Sequence, residues 1–93
     1  MNTFQTNNYE FSKYIHFEKA NDSLIICNKL DNYLYDFNSI GKEIIEMLLN
    51  NKSYENILQE LSIKYETSTN EIKPDVDEFI ESLIENGILI IKG

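Results

Sequence analysis

The sequence is poor in the residue types on which most enzymes and metal sites depend. Among its 93 residues there is one cysteine, Cys27, so no disulfide can form within the chain, and one histidine, His16, so no site can be built on a pair of histidines. Three glycines are too few for a loop that cradles a cofactor, and no phosphate loop, CxxC or nucleophile motif is present. These shortages predict a protein that is not an enzyme and binds neither metal nor cofactor.

Basic residues are also scarce. Eight lysines and arginines stand against sixteen aspartates and glutamates, which gives a net charge of −8. Such a surface repels nucleic acid and anionic membranes and favours basic or neutral partners. The carboxylates are scattered along helix faces with no apolar pocket around any pair, which is typical of solvated surfaces rather than of acid–base catalysis.

Long apolar runs are absent too. No stretch approaches the length of a membrane span, and the first ten residues have neither the positive start nor the apolar block of a signal peptide. The hydrophobic fraction of 42% is nevertheless enough for one domain with a modest core. We therefore expect a cytosolic domain with no membrane association.

The centre of the chain changes its hydrophobic period, and the other elements are organised around this change. Aromatic side chains alternate with Leu34 and Asp36 over residues 33–37, as in a strand. From Ile40 the apolar residues recur at helical spacing, so a helix is predicted to follow, capped by Asn38 or Ser39. Gly41 in its first turn is either a site of close approach by another segment or merely a tolerated weak helix residue.

Two further strands are predicted before this one. Residues 14–19 alternate, with His16 on the exposed side, and residues 23–28 are mostly apolar, with Cys27 as a small core residue. Short turns join the three strands, which predicts an antiparallel meander whose third strand is open along one edge. Residues 1–12 show no sustained period and are interpreted as a loose N-terminal arm, followed by one domain over residues 13–93.

Two more helices and a short strand complete the domain. Ser53 is expected to cap a helix that runs to about Tyr65. Thr69 or Asn70 can start the next helix, but Pro74 costs a hydrogen bond, so a loose first turn and a regular helix over 74–86 are expected. A terminal strand is predicted over 88–91. The fold class is thus α+β, a winged helix-turn-helix with a three-stranded N-terminal meander, three helices and a C-terminal strand.

The third helix is the element that would enter the major groove in a DNA-binding version of this fold. It carries six acidic residues against Lys73 alone, so phosphates would repel it. Ile80 and Ile84 lie to one side of its core stripe, beside Lys73 and Asp77. Spacing leaves two interpretations for this pair, either additional core or the floor of an exposed groove.

The order of these elements resembles the PqqD-like family, also called the RiPP precursor peptide recognition element. The similarity covers residues 14–91 and depends on a series of short motifs rather than on any single one. They are Phe37, Asn38 and Gly41 at the strand–helix junction, the polar turn 50–53, Tyr65 at the end of the second helix, and Asp75, Val76, Phe79, Leu83 and Gly87 in and after the third.

The resemblance implies a non-enzymatic domain that binds the leader segment of a ribosomally made precursor peptide. The leader would pair as an extra strand with the third strand, in the groove between that strand and the third helix, and would be delivered to a radical SAM protein, a cyclodehydratase or a lasso-peptide protease. With this family in view, Ile80 and Ile84 are expected in the groove and Lys73 and Asp77 on its rim. The predicted peptide-binding residues are Tyr33, Leu34, Tyr35, Asp36, Lys73, Asp77, Ile80 and Ile84.

Three possibilities outside this interpretation remain open at the level of sequence. One is a winged-helix DNA-binding regulator, which the acidic third helix disfavours. Another is an acidic protein-interaction module. The third concerns assembly, since an open sheet edge also allows a homodimer.

Overall fold

The computed structural model describes residues 9–37 and 39–91, and it confirms the α+β fold. The elements in chain order are β1 (Tyr9–Phe11), β2 (Ile15–Ala20), β3 (Ser23–Asn28), β4 (Tyr33–Phe37), α1 (Ser39–Leu49), α2 (Tyr54–Lys64), α3 (Thr69–Glu85) and β5 (Leu89–Ile91). Among these residues, no helix has both the length and the apolar character needed to cross a membrane. The predicted capping residue Asn38 lies outside the described residues.

The predicted meander is present as the antiparallel sheet β2-β3-β4, with β3 in the middle. Side chains along β3 alternate strictly between buried and half-buried, and Leu24 and Ile26 are 2% and 0% exposed. Since successive side chains point to opposite faces of a sheet, one face of β3 belongs to the core and the other faces outward. Cys27 lies on the outward face and is only half-buried, so the prediction of a core cysteine is wrong.

A second, two-stranded sheet was not predicted. In it β1 pairs antiparallel with β5, with Glu10 opposite Ile90. The interpretation of residues 1–12 as a loose arm is therefore corrected for Tyr9–Phe11, whereas residues 1–8 lie outside the described residues. The two strands are at opposite ends of the chain and each is three residues long, so neither has a local signal that reveals its partner.

Serine side chains cap the N-termini of α2 and α3. Ser53 Oγ accepts from the N–H of Asn56 over 3.1 Å, and Ser68 Oγ accepts from the N–H of Glu71 over 3.1 Å. Gly87 follows α3 with φ of 72°, and the next N–H bonds back to Leu83 C=O, which is the geometry of a Schellman ending.

Pro74 lies inside α3 rather than at its start. The cap at Ser68 begins the helix five residues before the proline, so the expectation of a regular helix only from Pro74 onward is wrong. The proline ring has no N–H for the carbonyl of Asn70, but Asn70 and Pro74 are both exposed residues. Burial of one α3 face, which includes Ile72 and Val76, outweighs the missing hydrogen bond.

The core lies between the helices and the inner face of the meander. Its members are the apolar side chains below one-tenth exposure: Leu24, Ile26, Ile44, Ile45, Leu48, Tyr54, Ile57, Leu58, Leu61, Ile72, Val76, Ile80, Leu83, Ile88 and Leu89. Every helix and the strands β3 and β5 contribute to it, so this one cluster holds the domain together.

Replacing Pro74 with alanine tests whether the proline lowers the stability of the protein. Alanine restores one backbone hydrogen bond and removes the ring from the second turn, so the free energy of unfolding should rise by about 1–3 kcal/mol, less a small loss from a more flexible unfolded chain. Urea unfolding measures the change. Glu81→Ala at another exposed position of α3 is the control and should change stability by about 0.5 kcal/mol or less. An unchanged Pro74→Ala protein would show that the proline costs nothing.

Candidate peptide-binding edge

The strand β4 is the open edge of the three-stranded sheet. It pairs with β3 on one side, and within residues 9–37 and 39–91 no strand lies on its other side. Tyr33 and Leu34 are 58% and 64% exposed, which is high for large side chains. A strand edge of this kind presents unpaired N–H and C=O groups and is a template for another extended segment.

The direction of each backbone group on β4 follows from the sheet register. The N–H of Lys29 donates to Tyr14 C=O over 2.9 Å, and these residues face each other one pair beyond Ile15 and Asn28. Hydrogen-bonded and non-hydrogen-bonded pairs alternate along an antiparallel ladder. The backbone of Cys27 and Ile25 therefore faces β2.

The intervening residues of β3 face β4 instead. Ile26 lies opposite Tyr35, and the pair exchanges hydrogen bonds. Leu34 and Asp36 lie opposite residues whose backbone faces the other way, so their own N–H and C=O groups point outward along the open edge. Two residues of β4 thus offer their backbone to a guest strand.

An aromatic row covers the inner face beside this edge. The ring centroids of Tyr33 and Tyr35 are 4.8 Å apart, and those of Tyr35 and Phe37 are 6.1 Å apart. Phe37 meets Phe79 of α3 edge to face at 5.6 Å. Burial raises the pKa of Tyr35, with a further contribution from Asp31, so the hydroxyl stays neutral. The row supplies rigid apolar surface between β4 and α3.

Gly41 allows α3 to come this close. A Cβ atom at position 41 would lie 3.1 Å from Cε1 of Phe79 and 3.6 Å from Cδ1 of Phe37. The first of these distances is shorter than an ordinary van der Waals contact. Of the two interpretations that spacing left open, the site of close approach is therefore the correct one.

The flank of α3 next to β4 carries carboxylates beside Phe79. Asp75 and Ser82 lie four residues before and three after Phe79, which places them on the same side of the helix. Together with Glu78 they line a shallow depression of about 320 Å³. The three neighbours of Phe79 were not predicted as site residues, although Asp75 and Phe79 both belong to the quoted family motif.

The opposite flank of α3 binds α2. The hydroxyl of Tyr54 donates to Asp77 Oδ1, Lys73 Nζ bonds the other carboxylate oxygen over 2.8 Å, and the ammonium lies 5.8 Å from the Tyr54 ring centroid. Burial raises the pKa of Tyr54, the hydrogen bond to Asp77 raises it further, and the same carboxylate raises the pKa of Lys73. Lys73 and Asp77 thus join two helices, and neither contacts the aromatic row.

Ile80 and Ile84 lie on this second flank as well, 100° and 140° around the helix from the Phe79 position by spacing of about 100° per residue. Ile80 is 2% exposed and belongs to the core, so its prediction as an exposed groove residue is wrong and the alternative, additional core, is correct. Ile84 is half-buried and packs against the same core. The structure therefore brings Tyr33, Leu34, Tyr35 and Asp36 together but not the four predicted residues of α3.

A larger cleft of about 490 Å³ lies between α1 and α2. Three glutamates line it, and each already holds a lysine: Glu43 binds Lys64, Glu46 lies 3.4 Å from Lys19, and Glu60 lies 3.1 Å from Lys52. Its charges are compensated within the molecule. The depression beside Phe79 differs, because its carboxylates have no such partners among the described residues.

Comparison with known proteins shows the family and the fold of this chain. A family model described as coenzyme PQQ synthesis protein D (PqqD) matches residues 24–89. Curated proteins show no significant match. A solved structure described as TbiB1 in complex with the TbiA(beta) leader peptide is similar with a TM-score of 0.81 at 16% identity, over 86% of this chain and 93% of that one. A lasso peptide synthetase B1 complexed with the leader peptide gives 0.83 at 19%, over 89% and 98%.

The burial of Ile80 is tested by placing a charge there. In Ile80→Asp the carboxylate would lie unpaired in the core, and the cost of burying it is comparable to the whole stability of a small domain, so the cooperative thermal transition should be lost. Circular dichroism measures this. Ile63→Asp is the matched control, because Ile63 is 78% exposed and its variant should melt normally. A folded Ile80→Asp protein would contradict the core assignment and support the groove interpretation of Ile80.

The close approach at Gly41 is tested by adding volume in steps. In Gly41→Val the branched side chain must displace Phe79, and overpacking of this kind should lower stability by about 1–3 kcal/mol in urea unfolding. In Gly41→Ala, the shift of Phe79 by a few tenths of an ångström is offset by a helix-propensity gain of about 1 kcal/mol, so little change is expected. In a Phe79→Ala background the valine should cost less, and an equal cost in both backgrounds would contradict the contact.

Proposed function

Since the chain belongs to the PqqD family, we propose that it is a non-catalytic domain that binds the leader segment of a ribosomally made precursor peptide as an additional strand on β4. The observation that carries this proposal is the outward direction of the backbone groups of Leu34 and Asp36 on an open edge. Backbone hydrogen bonds of strand addition supply affinity that depends little on sequence.

The aromatic row is proposed to select which side chains of the peptide bind at this edge. A guest strand alternates its side chains between two faces, as β4 does. On the inner face they would meet Tyr35, Phe37 and Phe79, which form a rigid apolar surface in front of α3. On the outer face they would lie beside Leu34 and Asp36. The proposed peptide-binding residues are therefore those of β4 together with Phe79 and its neighbours on α3.

The comparisons support a peptide ligand in two separate ways. The family match spans β3, β4 and all three helices, which are the elements that build the edge and the aromatic row. The two similar solved structures share the fold, and each is described as a complex with a leader peptide. The register and exposure of β4 in this chain support the same edge as the site of pairing.

Delivery to a tailoring enzyme completes the proposed function. A domain that holds the leader raises the effective concentration of the attached core peptide near the enzyme without taking part in its chemistry. The partner classes that the family implies are a radical SAM protein, a cyclodehydratase and a lasso-peptide protease. The exposed face of α3, with Glu71, Asp75, Glu78 and Glu81, disfavours the alternative of a DNA-binding regulator, since phosphates would meet carboxylates there.

Proline substitutions along β4 test strand addition residue by residue. Proline at Leu34 or Asp36 removes an N–H that faces outward and places a ring carbon where the guest strand would pair, so the fold should persist while affinity falls by at least about tenfold. Proline at Tyr35 removes a bond to β3 and should lower the melting temperature. Fluorescence anisotropy with a labelled leader peptide, together with thermal melts, measures both effects.

Alanine variants at the same three positions are the matched controls, since they remove the side chain but keep the N–H. Leu34→Ala should bind more tightly than Leu34→Pro, and Tyr35→Ala should melt above Tyr35→Pro. If folded Leu34→Pro and Asp36→Pro proteins both bind the leader as tightly as their alanine controls, the peptide does not pair with β4.

A further inference from the structure

Carboxylates lie on β4 itself and on the flank of α3 whose Phe79 meets Phe37. Asp36 points from the outer face of the strand, and Asp75 and Glu78 lie along the α3 flank that holds Phe79. All three are exposed, and in the described part of the chain none forms an ion pair. Elsewhere, Glu43, Glu46, Glu60 and Asp77 each hold a lysine. Within the described residues, no lysine therefore compensates the charge of Asp36, Asp75 or Glu78 by an ion pair.

A guest strand at this edge would lie between the two sets of carboxylates. Its outer side chains would stand beside Leu34 and Asp36, where an opposite charge makes a favourable cross-strand pair and a like charge an unfavourable one. Its inner side chains would cross the rings of Tyr35 and Phe79 and end near Asp75 and Glu78. Lysine and arginine suit the second environment, because their aliphatic stems cover apolar surface while the charged ends remain in water.

Resting on the proposed strand addition, we infer that the peptide segment bound at β4 is basic, with apolar side chains on the aromatic row and lysine or arginine positioned to meet Asp36, Asp75 and Glu78. Acidic segments are rejected at the same edge by repulsion. The net charge of −8 adds a field of the same sign, which speeds the encounter with a basic peptide.

The probe for this inference is a library of random peptides displayed on their own mRNA and selected for binding to the full chain. Peptides that use the β4 edge are identified by loss of binding to Leu34→Pro. Within that class we expect an excess of lysine and arginine over aspartate and glutamate. Raising salt from about 0.1 M to about 1 M shortens the screening length from about 10 Å to about 3 Å, and should weaken these peptides about tenfold.

A matched pair of charge reversals locates the effect. Glu78→Lys should weaken the selected basic peptides about tenfold, whereas Glu55→Lys should leave their affinity within about twofold. Both variants change the net charge equally. Glu55 is exposed at the start of α2, next to Tyr54, which contacts the opposite flank of α3. When the Asp36→Lys protein is used as the target of the same selection, the enriched peptides should shift toward acidic residues.

Two outcomes overturn different parts of the argument. If peptides sensitive to Leu34→Pro are enriched but carry no basic excess, or bind Glu78→Lys as tightly as the unchanged chain, the inference of a basic ligand is wrong and strand addition stands. If no selected peptide is sensitive to Leu34→Pro, strand addition at β4 is wrong, and the basic ligand is rejected with it.

Discussion

The alternation of side chains along β3 is the constraint on which the rest of the structure depends. Leu24 and Ile26 are almost completely buried. A shift of the β3 register by one residue would expose both side chains and would point Ile25 and Cys27 toward the core. The pairing of β3 with both neighbours is therefore held in one register. That register in turn decides which backbone groups of β4 are used inside the sheet and which are left for a partner, so a packing constraint in the core determines the chemistry of the edge.

An open strand edge also exposes a protein to unwanted pairing with its own copies. Asp36 stands on this edge, and Asp75 and Glu78 stand beside it on α3. Two copies that met edge to edge would bring these like charges together, which works against a homodimer through β4. The carboxylates that would select a basic peptide would thus also discourage self-association through β4.

The two flanks of α3 serve different purposes. One flank meets β4 through Phe79, and the space for that ring exists because position 41 has no Cβ atom. The other flank joins α2 through Tyr54, Asp77 and Lys73. The contact with α2 fixes the position of α3, and this position sets the distance between Phe79 and β4. Charge on a helix surface therefore does not by itself mark a ligand site, since Asp77 is used to bind α2 and Asp75, two residues earlier, is not.

Much of this protein could be predicted from local patterns. The change of period near Ser39, the caps at Ser53 and Gly87, the meander and the edge position of β4 all depend on neighbouring residues, for which spacing is sufficient information. The pairing of β1 with β5 joins the two ends of the chain and depends on packing that no short window contains. The orientation of α3 relative to β4 could not be predicted for a related reason. Spacing showed which residues share a flank but could not show which flank meets β4, because that rotation is decided by Gly41, Phe37 and Phe79 coming together from three different elements.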